Sequence, residues 1–202
     1  MPSASQPAGR RERNKQQKLV RITAAASELF AEYGVDDVTT QQIAEKADVG
    51  TGTVFLYAKT KGELLLLVQN ANYSEALARG RTDAENISDV LDAVMAIIGP
   101  IVECNRTQID NGRTYLREMV FGNPEEPHHA EALTIVGQTE EAIAAVLRRG
   151  GQIGEAEAAT RAHVVSAIMF LAMAATINTA RSVGEIEADI RDQVSVLLPH
   201  GQ

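Results

Sequence analysis

No stretch of the chain alternates β-branched with polar residues as a half-buried strand requires. Apolar residues recur instead at intervals of three and four, so the sequence reads as helix almost throughout. Leu19, Ile22, Ala26, Leu29, Phe30 and Tyr33 share one helical face and Gly34 follows as a stop, which predicts a first helix over 13–33. Thr39 and Gln42 have capping-box spacing and open a short second helix from Thr40 to Ala47, with Ile43, Ala44 and Ala47 turned inward. Asp48-Val49-Gly50 breaks it, and a third short helix runs from Thr51 to about Ala58. A longer helix, Lys61 to about Arg79, begins with the apolar run Leu64 to Val68; a helix apolar on every side is one clasped between two layers. Further helical segments fall near 86–105 (with a kink at Gly99-Pro100), 108–121, 129–149, 156–180 and 184–198. Gly122-Asn123-Pro124, Gly150-Gly151, Gly154, Gly184 and Pro199 punctuate them.

Composition narrows the class. Hydrophobic residues make up 45% of the 202, enough for a sizeable core. A single cysteine, Cys104, allows no internal disulfide and fits a reducing compartment. The first 18 residues lack the apolar core of a signal peptide, so a cytoplasmic protein with a disordered basic arm over 1–12 is expected. The net charge of −8 is unevenly spread: residues 1–70 carry a net +1, and between Arg10 and Arg21 there are six basic residues and one acid. Screening within about 8 Å lets such a patch hold phosphate while the rest of the molecule is acidic.

Several other chemistries find no support. Val164 to Ala180 holds no formal charge over 17 residues, but its polar residues and alanines suit a buried or dimer-forming helix better than a membrane span. Glu125, Glu126, His128 and His129 offer Glu-x-x-His twice in one segment, but no second copy lies elsewhere in the chain, and Pro124 and Pro127 make the segment read as a solvated loop rather than a metal site. Four histidines and one cysteine supply no defensible nucleophile–base pair, and Gly50-Thr51-Gly52 follows no strand, so no enzyme, metal or cofactor is expected.

The segment Thr39 to Ala58, TTQQIAEKADVGTGTVFLYA, has the layout of a helix-turn-helix: a small residue, Ala44, at the crossing, and Val54 and Ala58 anchoring the second helix. Thr51, Gly52, Thr53 and Leu56 are left on the other face, small or flexible groups suited to a major groove. With Phe30, Tyr33, Gly34, Ile43-Ala44, Ala47, Val49, Gly52-Thr53-Val54-Phe55, Tyr57, Lys61 and Glu63-Leu64 at their intervals, about 50 N-terminal residues resemble the TetR family of bacterial regulators. The chain departs from the family pattern at Asp48, Gly50, Phe55 and Ala58; Asp at the turn tolerates left-handed backbone.

The resemblance implies an all-α protein. A three-helix helix-turn-helix domain over 13–60 would precede a larger helical effector-binding and dimerisation domain over 61–202. It implies a ligand-responsive regulator, most often a repressor, that binds a palindromic operator in double-stranded DNA as a homodimer and is released by a small hydrophobic effector. DNA contacts would come from Thr39 and Gln41 (phosphate), Thr51, Gly52, Thr53 and Leu56 (bases), and Tyr57 and Lys61 (phosphate). Phe30, Tyr33, Ile43, Val54 and Phe55 would be core. An effector cavity among the middle helices has as candidates Met95, Ile98, Cys104, Tyr115, Met119, Met169 and Met173. The expected dimer seam joins Ala167, Leu171, Ala174, Ala175 and Asn178 to Ile186, Ile190, Val194 and Leu197.

Overall fold

The structure, a computed structural model, describes residues 9–149 and 153–198. The part of the expected arm over 1–8, the turn at Gly150-Gly151, and Pro199 with the residues after it lie outside the described residues. Among the described residues the chain is helical, with no strand. In chain order the helices are α1 Arg10–Tyr33, α2 Thr40–Lys46, α3 Thr51–Val54, α4 Lys61–Ala84, α5 Val90–Arg106, α6 Ile109–Phe121, α7 Pro127–Arg148, α8 Glu155–Ala174 and α9 Val183–Leu197. A short 3₁₀ turn, Thr176–Asn178, lies between the last two.

Local chemistry sets most of the boundaries. Gly34, at φ 80°, closes α1 with its N–H on the Phe30 carbonyl at 3.0 Å. Thr39 caps α2 through its hydroxyl, which accepts from the Gln42 N–H at 3.2 Å while the Gln42 side chain accepts from the Thr39 N–H at 2.7 Å. Asp48 takes up the left-handed backbone expected of it, at φ 51°. Thr60 caps α4 by accepting from Glu63 N–H. α1 begins at Arg10, so residues 10–12, expected in the arm, are helical.

Helix α4 packs against α1 on one side and α5, α6 and α7 on the other, as its apolar start requires. Leu64, Leu65 and Leu66 are buried. At Gly80 a Cβ would stand 2.8 Å from the backbone of Ala96 and Ile97, so the backbones of α4 and α5 meet there only because Gly80 has none.

Three expectations change. The segment 156–180 does not run through as one helix: Ala175 turns extended (ψ 130°) after α8 ends. The buried Arg106 gathers the carbonyls of Asn178, Thr179 and Arg181 with one guanidinium nitrogen, at 3.1, 3.2 and 2.6 Å. The Asn178 amide returns to the Ala172 carbonyl. A buried cation thus recruits carbonyls that a continuing helix would have kept for itself. Second, Pro127 starts α7, so His128 and His129 lie in its first turn and not in a solvated loop; His129 is buried. Third, α9 turns Ile186, Ile190 and Val194 inward, each 0% exposed, against α5 and α8. As packed here they belong to the core of a single chain and offer no seam to a partner.

Candidate nucleic-acid interface and effector cavity

The front of the molecule is built by α1, α2 and α3. Phe30, Ile43 and Val54, each at most 1% exposed, lock the three helices together. Each such burial contributes about 1.5–3 kcal/mol. The Val49 N–H reaches the Ala44 carbonyl at 3.0 Å across the turn, and Arg21 meets Asp48 at 3.2 Å. Regular α-helix ends at Val54, but hydrogen-bonded turns carry the chain on, Tyr57 N–H to Val54 O at 2.9 Å and Ala58 N–H to the same carbonyl at 3.2 Å.

This scaffold turns Thr51 and Gly52 fully outward, half-exposes Thr53, and leaves Leu56 82% exposed, so the four expected base-facing residues share one outer surface. Gly50 and Gly52 have open space around them. Thr39 and Gln41 are exposed at the start of α2; the Gln41 amide rests on Glu45 at 2.9 Å. Two residues expected in the core lie outside it: Phe55 is 49% and Tyr33 54% exposed. Phe55 follows the end of α3 and departs from the helical face that Val54 anchors.

Tyr57 and Lys61 have structural partners. The Tyr57 hydroxyl donates to the Lys15 carbonyl at 2.9 Å and ties the reading segment to α1. The Lys61 ammonium donates to the Asp36 and Val38 carbonyls at 2.9 and 3.1 Å and holds the α1–α2 loop. One of its three N–H groups is left for another acceptor. Lys15 and Lys18 border a groove of about 1060 Å³ with Thr53, Leu56 and Tyr57. Their place beside Thr53 and Leu56 was legible only as part of a basic stretch.

Behind the front domain lies a small, largely apolar cavity of about 50 Å³. Tyr73 and Ile101 (α4, α5), Tyr115, Leu116 and Met119 (α6), Ala132, Ile135, Val136 and Thr139 (α7), and Ser166, Met169, Phe170 and Met173 (α8) line it. Four of the seven expected residues meet there: Tyr115, Met119, Met169 and Met173. Cys104 lines a separate, open groove of about 450 Å³ between α1, α4 and α5, with Gln69, Asn72 and Arg79 among its neighbours. Burial pushes the Cys104 thiol up to about 11, with Arg79 opposing the rise and Glu75 adding to it. Met95 and Ile98 pack in the helical core and line neither space. Burial also raises the Tyr73 and Tyr115 phenols well above their usual range, with a smaller contribution from the nearby Cys104, so both stay neutral; the Tyr73 hydroxyl accepts from the Asn105 amide at 2.8 Å.

Sequence reasoning missed Asn70 and His128. Asn70 is 1% exposed in the middle of α4, where it accepts from the Tyr115 hydroxyl and donates to α7. A lone amide in an apolar helical run was the available signal.

Residues 22–68 match the family described as bacterial regulatory proteins, tetR family. The likeness to that family in sequence rests on this front segment. The chain is also 27% identical, over 86 residues, to the fatty acid metabolism regulator protein of Bacillus subtilis, a match spanning 43% of the chain and 44% of that relative. A TetR regulator from Rhodococcus sp. RHA1 superposes with a TM-score of 0.70 at 18% identity, covering 94% of this chain and all of the other. The Bacillus subtilis FadR regulator in complex with stearoyl-CoA superposes with a TM-score of 0.63 at 15% identity, covering 91% and 99%. The all-helical architecture, a front helix-turn-helix on a larger helical body, is that of TetR-family transcription regulators. No helix among the described residues is long and apolar enough to cross a membrane, and no group of three or more potential metal ligands occurs among them.

Proposed function

We propose that the chain is a cytoplasmic repressor that binds a palindromic operator as a homodimer and is released by a small apolar effector. The observation that carries this is the outward face of Thr51, Gly52, Thr53 and Leu56 on a rigidly packed helix-turn-helix, with a small, largely apolar cavity in the domain behind it. Thr53 and Thr51 present methyl and hydroxyl groups of a size that meets base edges, and Gly52 lets the backbone approach. Thr39 and Gln41 supply phosphate contacts at the start of α2. Tyr57 acts chiefly by holding α1 against the reading segment. Lys61 holds the α1–α2 loop and turns its remaining N–H toward phosphate.

One reading helix gives little discrimination, so a two-fold pair is needed to span two half-sites about 34–36 Å apart. On α8, Val164, Ala167 and Leu171 form an exposed stripe at spacings of three and four, with Leu171 66% exposed; Val196 on α9 is 73% exposed. These residues replace the inward-facing Ile186, Ile190 and Val194 as the expected seam. Asn178 is likewise committed within the chain, through Ala172 and Arg106.

The cavity sets the effector class. Its hydroxyls at Tyr115 and Thr139 already donate within the protein, and no charged side chain lines it. The buried part of an effector is therefore neutral and apolar, and a straight aliphatic chain among three methionines fits that requirement. The structural likeness to a regulator holding stearoyl-CoA supports acyl chains as the first compounds to try.

The test is footprinting of the full chain on DNA flanking its own coding region, in graded salt, with and without saturated fatty acids and acyl-CoAs. Protection of two symmetric half-sites that fades with salt and with acyl compound is expected. Absence of any sequence-selective, salt-sensitive protection overturns the reading.

A further inference from the structure

A continuous set of hydrogen bonds joins the cavity wall to the reading segment. Tyr115 is stacked on Tyr73 with ring centroids 4.1 Å apart, and its hydroxyl donates to Asn70 Oδ1 at 2.9 Å. The buried Asn70 amide donates to the His128 carbonyl and to the Glu131 carboxylate, each at 2.9 Å. The His128 N–H donates to the Glu63 carboxylate at 2.8 Å, and its Nε2 stands 3.0 Å from the Tyr57 carbonyl. A carbonyl only accepts, so Nε2 carries the proton. The Tyr57 hydroxyl continues the set to the Lys15 carbonyl on α1.

Resting on the reading that the cavity takes an effector, we propose that Tyr115, Asn70 and His128 form the relay by which its occupancy resets the helix-turn-helix. A space of about 50 Å³ admits no ordinary effector, so the wall must move. The methionine ends swing freely, but Tyr115 is held by its stack and by Asn70, and it cannot yield without breaking that bond. The Asn70 oxygen is then buried and unpaired, a state that drives it to a new partner. Its amide also grips the first turn of α7, so the rearrangement pulls on His128 and frees the Tyr57 carbonyl. Helix α4 meets the front domain through its own length, whereas His128 touches the reading segment directly, so α7 is a second lever. Two alternative pairings of a buried amide give the discrete switch that coupling between distant sites requires.

The experiment compares the full wild-type chain with Tyr115→Phe and His128→Ala, using hydrogen exchange without ligand and operator affinity with dodecanoic acid as the probe. Tyr115→Phe keeps the ring and the stack, so it folds even where His128→Ala is less stable. The amides of residues 55–59 are expected to exchange at least about tenfold faster in both variants. His128→Ala, whose side chain lies outside the cavity lining, is expected to bind the acid within about threefold of wild type, and both variants are expected to lose most of the acid's effect on operator affinity. Unchanged exchange at 55–59 in both variants, or full retention of the acid's effect on operator binding, overturns the relay. Faster exchange in both variants, with operator binding of the wild-type chain itself unaffected by the acid, supports the relay and counts against the proposed effector class instead.

Discussion

The front domain and the body solve opposite problems with the same kind of helix. In α1 to α3 the polar groups face outward and the core is Phe30, Ile43 and Val54 with no buried charge. In the body, Asn70, Asn105, Arg106, Asn111 and His129 are buried among aliphatics, and most of them bridge helices far apart in sequence. The first arrangement makes a rigid frame, which suits the proposed reading role. The second makes a deformable body, which suits the proposed sensing role, since buried polar pairs and methionines have more than one way to be satisfied.

Truncating each core should expose the difference. Ile43→Ala is expected to lower the unfolding free energy by about 2–4 kcal/mol, whereas Met169→Leu in the cavity wall should cost under about 1.5 kcal/mol; denaturant titration of both reads the contrast, and equal losses would erase it. Access to the body is tested at Cys104. Its thiol titrates near 11, and only the thiolate reacts. Iodoacetamide at pH 8 is therefore expected to modify it about a hundredfold more slowly than an ordinary thiol, the rate climbing as pH rises toward that value. A fast reaction at pH 8 would mean that the groove opens readily. Lys61→Ala should destabilise the front domain by about 1–2 kcal/mol through the freed loop carbonyls and weaken all DNA alike, seen by melting and gel shift. The smallest effect belongs to Thr53→Ala, about 1 kcal/mol of discrimination at one or two base positions with stability unchanged. Uniform weakening across sequences would place Thr53 with the scaffold rather than with the readout.

Much of the fold could be read from short windows. The Thr39–Gln42 box, the stop at Gly34, the left-handed Asp48 and the helical spacing around α4 are each settled within a few residues, because caps, turns and periodicity are backbone chemistry between near neighbours. The outward placement of Thr51, Gly52, Thr53 and Leu56 was legible for the same reason. Phe55 was not: its exposure depends on where α3 stops, one residue earlier.

What only the tertiary structure decided involves partners distant in the chain. Helix α8 ends at Ala174 because Arg106, from α5, claims the carbonyls that follow. His128 is ordered in α7 because Glu63 and Asn70, 65 and 58 residues away, bind its amide and carbonyl. Ile186, Ile190 and Val194 form an apolar stripe in any reading, yet a stripe does not say whether its own body or a second copy covers it. The sequence by itself determined the helices, their caps and the outward face of Thr51, Gly52, Thr53 and Leu56. Packing alone chose which apolar faces close inward and which buried polar groups meet, because those free energies arise only once remote helices exclude water between them.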